Sequence, residues 1–371
     1  MDEQGSTSPM PTTQPMSQPR MQPTAPPQSQ PMVGLDVVDP TVIGPTVIDP
    51  TVVEAETRLR VTYSLHRASQ PRSGRWVVLH HGICHTREQF AGLIQALNDA
   101  GLHVAMIDQQ SEGASWRNWI SMGQYRRGFA AALAKIGADH RDFEVGCYVL
   151  HSMGAFLGEA AQQLCPELRR PTVLMTPIPA WIGALATSVR LAVNYPLAYL
   201  RAVVRQDILS LGDDWQRCKE MFFAPESPAT IVDGVFGRLK HAPFLAYLQL
   251  ALPVFTQPLV LRDDGNRRLL LTSKDDGIFS LWEYWGTRRR YSRLTEIRFR
   301  GGHDFFMEHA AGVAALVAAF LQDEPERERT VRIDPAHAQT AGPRARTVRA
   351  VWRGRTKRRG RDRTGQKRSP K

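Results

Sequence analysis

The chain has 371 residues, of which 42% are hydrophobic, and a formal net charge of +11. No unbroken apolar run reaches the roughly 18 residues of a membrane span, and Met1-Asp2-Glu3-Gln4 opens neither a basic n-region nor an apolar signal core. These absences lead us to expect a cytoplasmic protein with no transmembrane segment.

The charge is unevenly placed. Thirteen Lys or Arg and one acid, Asp362, lie between Arg344 and Lys371, so the rest of the chain is close to neutral. Residues 323–371 are therefore expected to form a basic, disordered tail. Such a tail can touch nucleic acid or an anionic membrane through charge alone. Trp352 is the one aromatic in it that could stack on a base. The alternative is a solvated tail that serves solubility. Four cysteines, at 84, 147, 165 and 218, form no Cys-x-x-Cys pair. They read as small buried groups in a reducing compartment, with Cys84 lining a pocket.

Residues 1–56 are rich in Pro, Gln, Ser and Thr. That composition buries too little surface to offset ordering entropy, so a disordered tail is expected. It holds a repeat: AspProThrValIle (39–43), GlyProThrValIle (44–48) and AspProThrValVal (49–53). Proline every five residues excludes a helix and a central strand. The repeat reads first as an extended linker and second as an edge strand or docking motif.

From residue 57 to residue 322 the pattern is globular. Leu59, Val61, Tyr63 and Leu65 alternate with polar residues, which predicts a half-exposed strand. A strand over 75–80 follows, then a helix from Thr86 to about Ala100 with Phe90, Leu93, Ile94 and Leu97 on one face and Gly101 as its stop. Further on come a strand at 103–107, a polar loop at 108–115, a helix near 122–138, a strand and helix over 145–165, and a strand at 171–176. This alternation predicts a mainly parallel α/β sheet with helices on both faces. Between about 178 and 262 the alternation stops and the segment turns helical and apolar. Strands return at 268–272 and 296–299.

Chemistry-bearing residues gather where these strands end. Val149-Leu150-His151-Ser152-Met153-Gly154 runs from a strand through a sharp turn into a small-residue helix, the layout of a nucleophile elbow. Trp76-Val77-Val78-Leu79-His80 ends in His81-Gly82. Arg268 to Thr272 leads to adjacent carboxylates, Asp275 and Asp276. Phe299 leads to Gly301-Gly302-His303. Open α/β sheets place their chemistry at such strand ends.

With these motifs, residues 57–322 resemble the α/β-hydrolase superfamily, most closely its monoacylglycerol lipase, lysophospholipase and serine aminopeptidase-like group. The elbow of that group reads His-Ser-Met-Gly. The segments 221–228 and 237–248 also look like its helical cap. The resemblance implies an α/β-hydrolase fold with a mobile cap over 178–262 and no cofactor. It implies Ser152 as nucleophile, Asp276 rather than Asp275 as acid, His303 as base, and the N–H groups of Ile83 and Met153 as oxyanion donors. Two departures stand out: Leu150 where the elbow has Gly, and Ser111-Glu112 where the loop after Asp108 has Gly-His. No metal is expected, because His80, His81 and His85 lack a supporting ligand set.

The expected activity is hydrolysis of an acyl ester or lipid-like small molecule. Other chemistry on the same triad (thioester, amide or peptide cleavage, acyl transfer) stays open, as do a non-catalytic binding protein and a nucleic-acid-associated protein acting through the basic tail.

Overall fold

Eight strands form one sheet: β1 (Val42–Val47), β2 (Leu59–His66), β3 (Arg75–His80), β4 (His103–Ser111), β5 (Glu144–His151), β6 (Thr172–Met175), β7 (Arg268–Ser273) and β8 (Leu294–Phe299). Their spatial order is β1-β2-β4-β3-β5-β6-β7-β8. β1, β2 and β4 pair antiparallel, and every pair from β4 to β8 is parallel. This computed structural model describes residues 42–47, 59–111, 119–252 and 263–322. The proposed disordered tails lie outside them, apart from β1.

The central strands are apolar on both faces because helices cover both faces. Trp76 and Val78 of β3, Tyr148 and Leu150 of β5, and Leu174 of β6 point to one core. That core is closed by α2 (Met122–Asp139) and α3 (Met153–Leu164). Val77, Leu79, Cys147, Val149, Val173 and Met175 point to the other. It is closed by α1 (Ala91–Asp99) and by the final helix, Ala310–Gln322. The period of two in the strands is thus visible as two separate cores.

The apolar insertion lies between β6 and β7. It forms α4 (Leu185–Asn194), α5 (Pro196–Arg205), α6 (Leu209–Gly212), α7 (Trp215–Phe222), α8 (Ala229–Phe236) and α9 (Phe244–Ala251), around a third apolar cluster. Its proposed last stretch, 253–262, lies outside the described residues. No helix among the described residues is long and apolar enough to cross a membrane.

Three expectations are corrected. The ThrValIle repeat is not only linker: Val42–Val47 pairs with β2 as an edge strand, Val42 opposite His66 and Val47 opposite Thr62. Its register slips between Ile43 and Thr46, where Gly44-Pro45 interrupts the ladder because proline has no N–H to donate. Second, Asp108 to Ser111 is not loop. β2 lies antiparallel beside it and pairs each position as far as Leu59 opposite Ser111, which continues β4. The rest of that stretch, 112–118, lies outside the described residues. Third, the helix expected from Thr86 begins as a 3-10 turn over Arg87–Phe90, with Thr86 and Gln89 forming a capping box.

Leu150 fits the elbow because of a residue eight positions on. A Cβ on Gly158 of α3 would sit 2.4 Å from Leu150 Cδ1. The bulk that departs from the elbow pattern is taken up by absent bulk in the facing helix turn. Gly158→Ala is therefore expected to destabilise the protein by about 1–3 kcal/mol through overpacking. In a Leu150→Ala background the same change should cost much less. Urea unfolding of the four proteins checks this; equal costs in both backgrounds would contradict the contact.

Candidate active site

Ser152 follows β5 directly and caps α3, with φ 50° and ψ −115°. A non-glycine residue held there costs on the order of 1–3 kcal/mol and persists only where its surroundings dictate it. Here the Ser152 N–H donates to the Met175 carbonyl at the end of β6 (3.0 Å), and Gly82 presses on the turn. A Cβ on Gly82 would lie 2.9 Å from Ser152 Cβ. Met153 opens α3, so its N–H belongs to the first helical turn, where no intrahelical acceptor exists.

The loop at Gly82 is fixed by two histidines. His81 Nδ1 donates to the Gly82 carbonyl (2.7 Å), and the His85 N–H reaches the same oxygen (3.4 Å). In a trans peptide the next N–H points the opposite way. The direction of the Ile83 N–H is thus set by His81 and His85, with the loop packed on Ser152.

Asp276 and His303, the expected acid and base, follow the ends of β7 and β8. His303 Nδ1 lies 3.0 Å from Asp276 Oδ2 and 3.2 Å from Oδ1. Both side chains are almost wholly buried. Asp276 Oδ1 also accepts from the N–H groups of Ile278 (2.7 Å) and Phe279 (2.9 Å), so the carboxylate is held from its own loop. Asp275 instead meets Gly301 N–H (3.4 Å). The Thr176 hydroxyl, at the end of β6, donates to the His303 carbonyl (3.1 Å). Gly302 allows the cap to close on this loop: a Cβ there would lie 2.2 Å from Phe223 Cα.

The sequence reading missed a buried network behind this set. His85 Nε2 lies 2.8 Å from Asp304 Oδ2, and His85 Nδ1 lies 2.8 Å from the Ile83 carbonyl. The Ile83 carbonyl only accepts, so Nδ1 carries a proton, and the facing Asp304 carboxyl favours the imidazolium form. Burial alone would lower its pKa, but the Asp304 charge and hydrogen bond outweigh it and raise it. Asp304 N–H donates to Phe222 O of the cap (2.9 Å). The His85–Asp304 pair therefore links the Ile83 loop, the His303 loop and the cap.

His151 stands between these groups, its ring 4.8 Å from that of His303 and 5.4 Å from that of His85. Its Nε2 is 3.4 Å from Asp304 Oδ1, outside hydrogen-bond geometry. Burial first, then the charges of His303 and His85, push its pKa well down and keep it neutral. Among the described residues, His151, His303 and Asp304 form the group whose atoms could together hold a metal ion. Among His80, His81 and His85, the first two stack on each other while His85 pairs with Asp304.

Above Ser152 lies an apolar cavity enclosed by the cap. Ser152 and His303 form part of its floor. Ile83, Cys84, Leu191, Leu211, Met221, Phe222, Leu239, Leu250 and Phe279 give it an apolar wall, as expected for Cys84. All the expected site residues thus lie at adjoining C-terminal strand ends beneath the cap. The pairing of His85 with Asp304 carried no sequence signal, because 219 positions separate them.

The sequence profile of the alpha/beta hydrolase family matches residues 77–316. The chain belongs to the alpha/beta hydrolase family and is a hydrolase. No curated protein matches its sequence. Among solved structures it is similar to a thermophilic esterase from Thermogutta terrifontis, at 15% identity and a TM-score of 0.55, over 75% of this chain and 98% of that one. The serine hydrolase CCSP0084 from Cycloclasticus zankles is similar at 15% identity and a TM-score of 0.52, over 76% and 99%. A bromoperoxidase from Bacillus anthracis is similar at 16% identity and a TM-score of 0.55, over 76% and 100%. At these identities the likeness concerns the fold, and the differing names show how little the fold fixes the reaction.

Proposed function

We propose that the chain is a serine hydrolase of carboxylic esters with apolar acyl groups, of the lipase, lysophospholipase or monoacylglycerol lipase kind. The observation that carries this reading is a strained Ser152 that shares an apolar cavity with an Asp276-paired His303. His303 Nε2 takes the Ser152 proton as Oγ attacks the ester carbonyl. Asp276 holds Nδ1 protonated and stabilises the imidazolium. The N–H groups of Ile83 and Met153 receive the oxyanion. His303 then gives its proton to the leaving alkoxide, and water repeats the sequence on the acyl-enzyme. The imidazolium of His85 adds positive charge behind the Ile83 loop. The mechanism runs through these side chains and backbone donors.

The apolar wall gives the acyl chain its selection. Each buried methylene contributes about 0.8 kcal/mol, roughly fourfold in kcat/KM. Across p-nitrophenyl esters of rising acyl length, kcat/KM is expected to rise until the cavity is filled and then level off. A profile that falls from acetate onward would refute acyl selection. A matched thioester and anilide series separates ester hydrolysis from its sister reactions.

A further inference from the structure

Two cap helices carry large apolar residues on their outer faces. In α5 Ala198 and Ala202 are buried and Tyr199 and Val203 pack partly buried beside them, while Leu197 and Val204 are 79% and 72% exposed and Leu200 is exposed with them. In α4 the inward residues are Thr187, Ser188 and Leu191, while Val189 and Val193 face solvent, Val193 at 72%. A helix on a soluble surface does the reverse. Single exposed apolar residues are ordinary, but a run of them along two consecutive helices marks an interaction surface.

Its charge identifies the partner. Residues 181–206 contain Arg190, Arg201 and Arg205 and no Asp or Glu. Arg201 and Arg205 share the exposed face of α5 with the leucines. Arg201 also reaches Asp213 at 3.5 Å, and Arg190 turns inward toward Glu283 at 3.6 Å. Trp181, which precedes α4, and Trp285, which touches it edge-on at 5.0 Å, are each about half exposed. Aliphatic residues beside arginines with tryptophans at the border are the composition of a helix lying in a bilayer interface. A second copy fits poorly, since a two-fold contact sets the same arginines near each other.

We propose that the outer face of α4 and α5 docks on an anionic lipid surface. The inner face of α4 lines the cavity over Ser152 through Thr187 and Leu191, with Ala184 just before the helix. One helix thus touches the lipid on one side and the acyl site on the other. The proposal concerns binding, and it stands whether or not esters are the substrate.

The test is co-sedimentation of the full chain with phosphatidylcholine vesicles, with and without phosphatidylglycerol. It is run at low salt and at about 0.5 M salt, where the screening length is only a few Å and contact through the basic tail is suppressed. Wild type is expected to pellet with the anionic vesicles and to stay partly bound at high salt. The triple variant Val193→Ser, Leu197→Ser, Val204→Ser, with its tail intact and its melting temperature unchanged, should lose partitioning about tenfold or more at high salt. A milder pair, Arg201→Gln with Arg205→Gln, should weaken binding to anionic vesicles alone. Wild type that does not pellet, or a triple variant that pellets equally, overturns the proposal. So does a wild-type dimer that dissociates in the triple variant without vesicle binding.

Discussion

Ser152→Ala is expected to lower kcat on p-nitrophenyl esters by about 10⁶-fold while circular dichroism and unfolding stay unchanged. Alanine keeps Cβ and removes only Oγ, and the strained turn is imposed by Met175 and Gly82 rather than by the hydroxyl. Asp276→Asn is the more discriminating companion. Asp276 Oδ1 already accepts from Ile278 and Phe279 N–H groups, so the asparagine oxygen will take that place. Its NH₂ then faces His303 Nδ1, which must accept. That moves the ring proton to Nε2, the nitrogen needed as base. A loss of about 10⁴-fold in kcat with little change in KM is the expected outcome. A loss under about tenfold would show that Asp276 only packs the loop.

Asp304→Ala is expected to cost about 3–5 kcal/mol of stability near neutral pH, since it leaves the His85 imidazolium buried and unpaired. The pH dependence follows from the direction of the His85 shift. Its folded pKa is raised, so its pairing stabilises the fold fully below the unfolded value near 6.5 and loses that contribution as pH rises through the folded pKa. The gap between wild type and Asp304→Ala in urea unfolding should therefore narrow with rising pH. A gap that is flat or widens would contradict the ion pair. Because His85 also holds the Ile83 carbonyl, Asp304→Asn should lower kcat more than it raises KM.

Much of this site could be read along the chain because each part follows its own strand. Ser152, Asp276 and His303 each sit in a short segment whose apolar strand and glycine-bearing turn announce it. Asp276 could be separated from Asp275 only by resemblance, and the hydrogen bonds place Asp276 against His303. What escaped were contacts between distant segments. Gly158 beneath Leu150 requires knowing how α3 lies on β5. His85 with Asp304 requires two strand-end loops to meet. β1 could not be told from linker, since a proline-bearing edge strand and an extended linker share one composition. The apolar outer faces of α4 and α5 have the period of any amphipathic helix, and only the burial of Leu191, Ala198 and Ala202 shows which side is in.

The central claim is that Ser152 is an activated nucleophile served by His303. It is tested most directly by reacting the full chain with a fluorophosphonate probe and mapping the labelled peptide by mass spectrometry, beside Ser152→Ala and His303→Ala. The account predicts one adduct, on Ser152, absent from the first variant and strongly slowed in the second. A well-folded wild type that takes no label, or takes it at another serine, would contradict it.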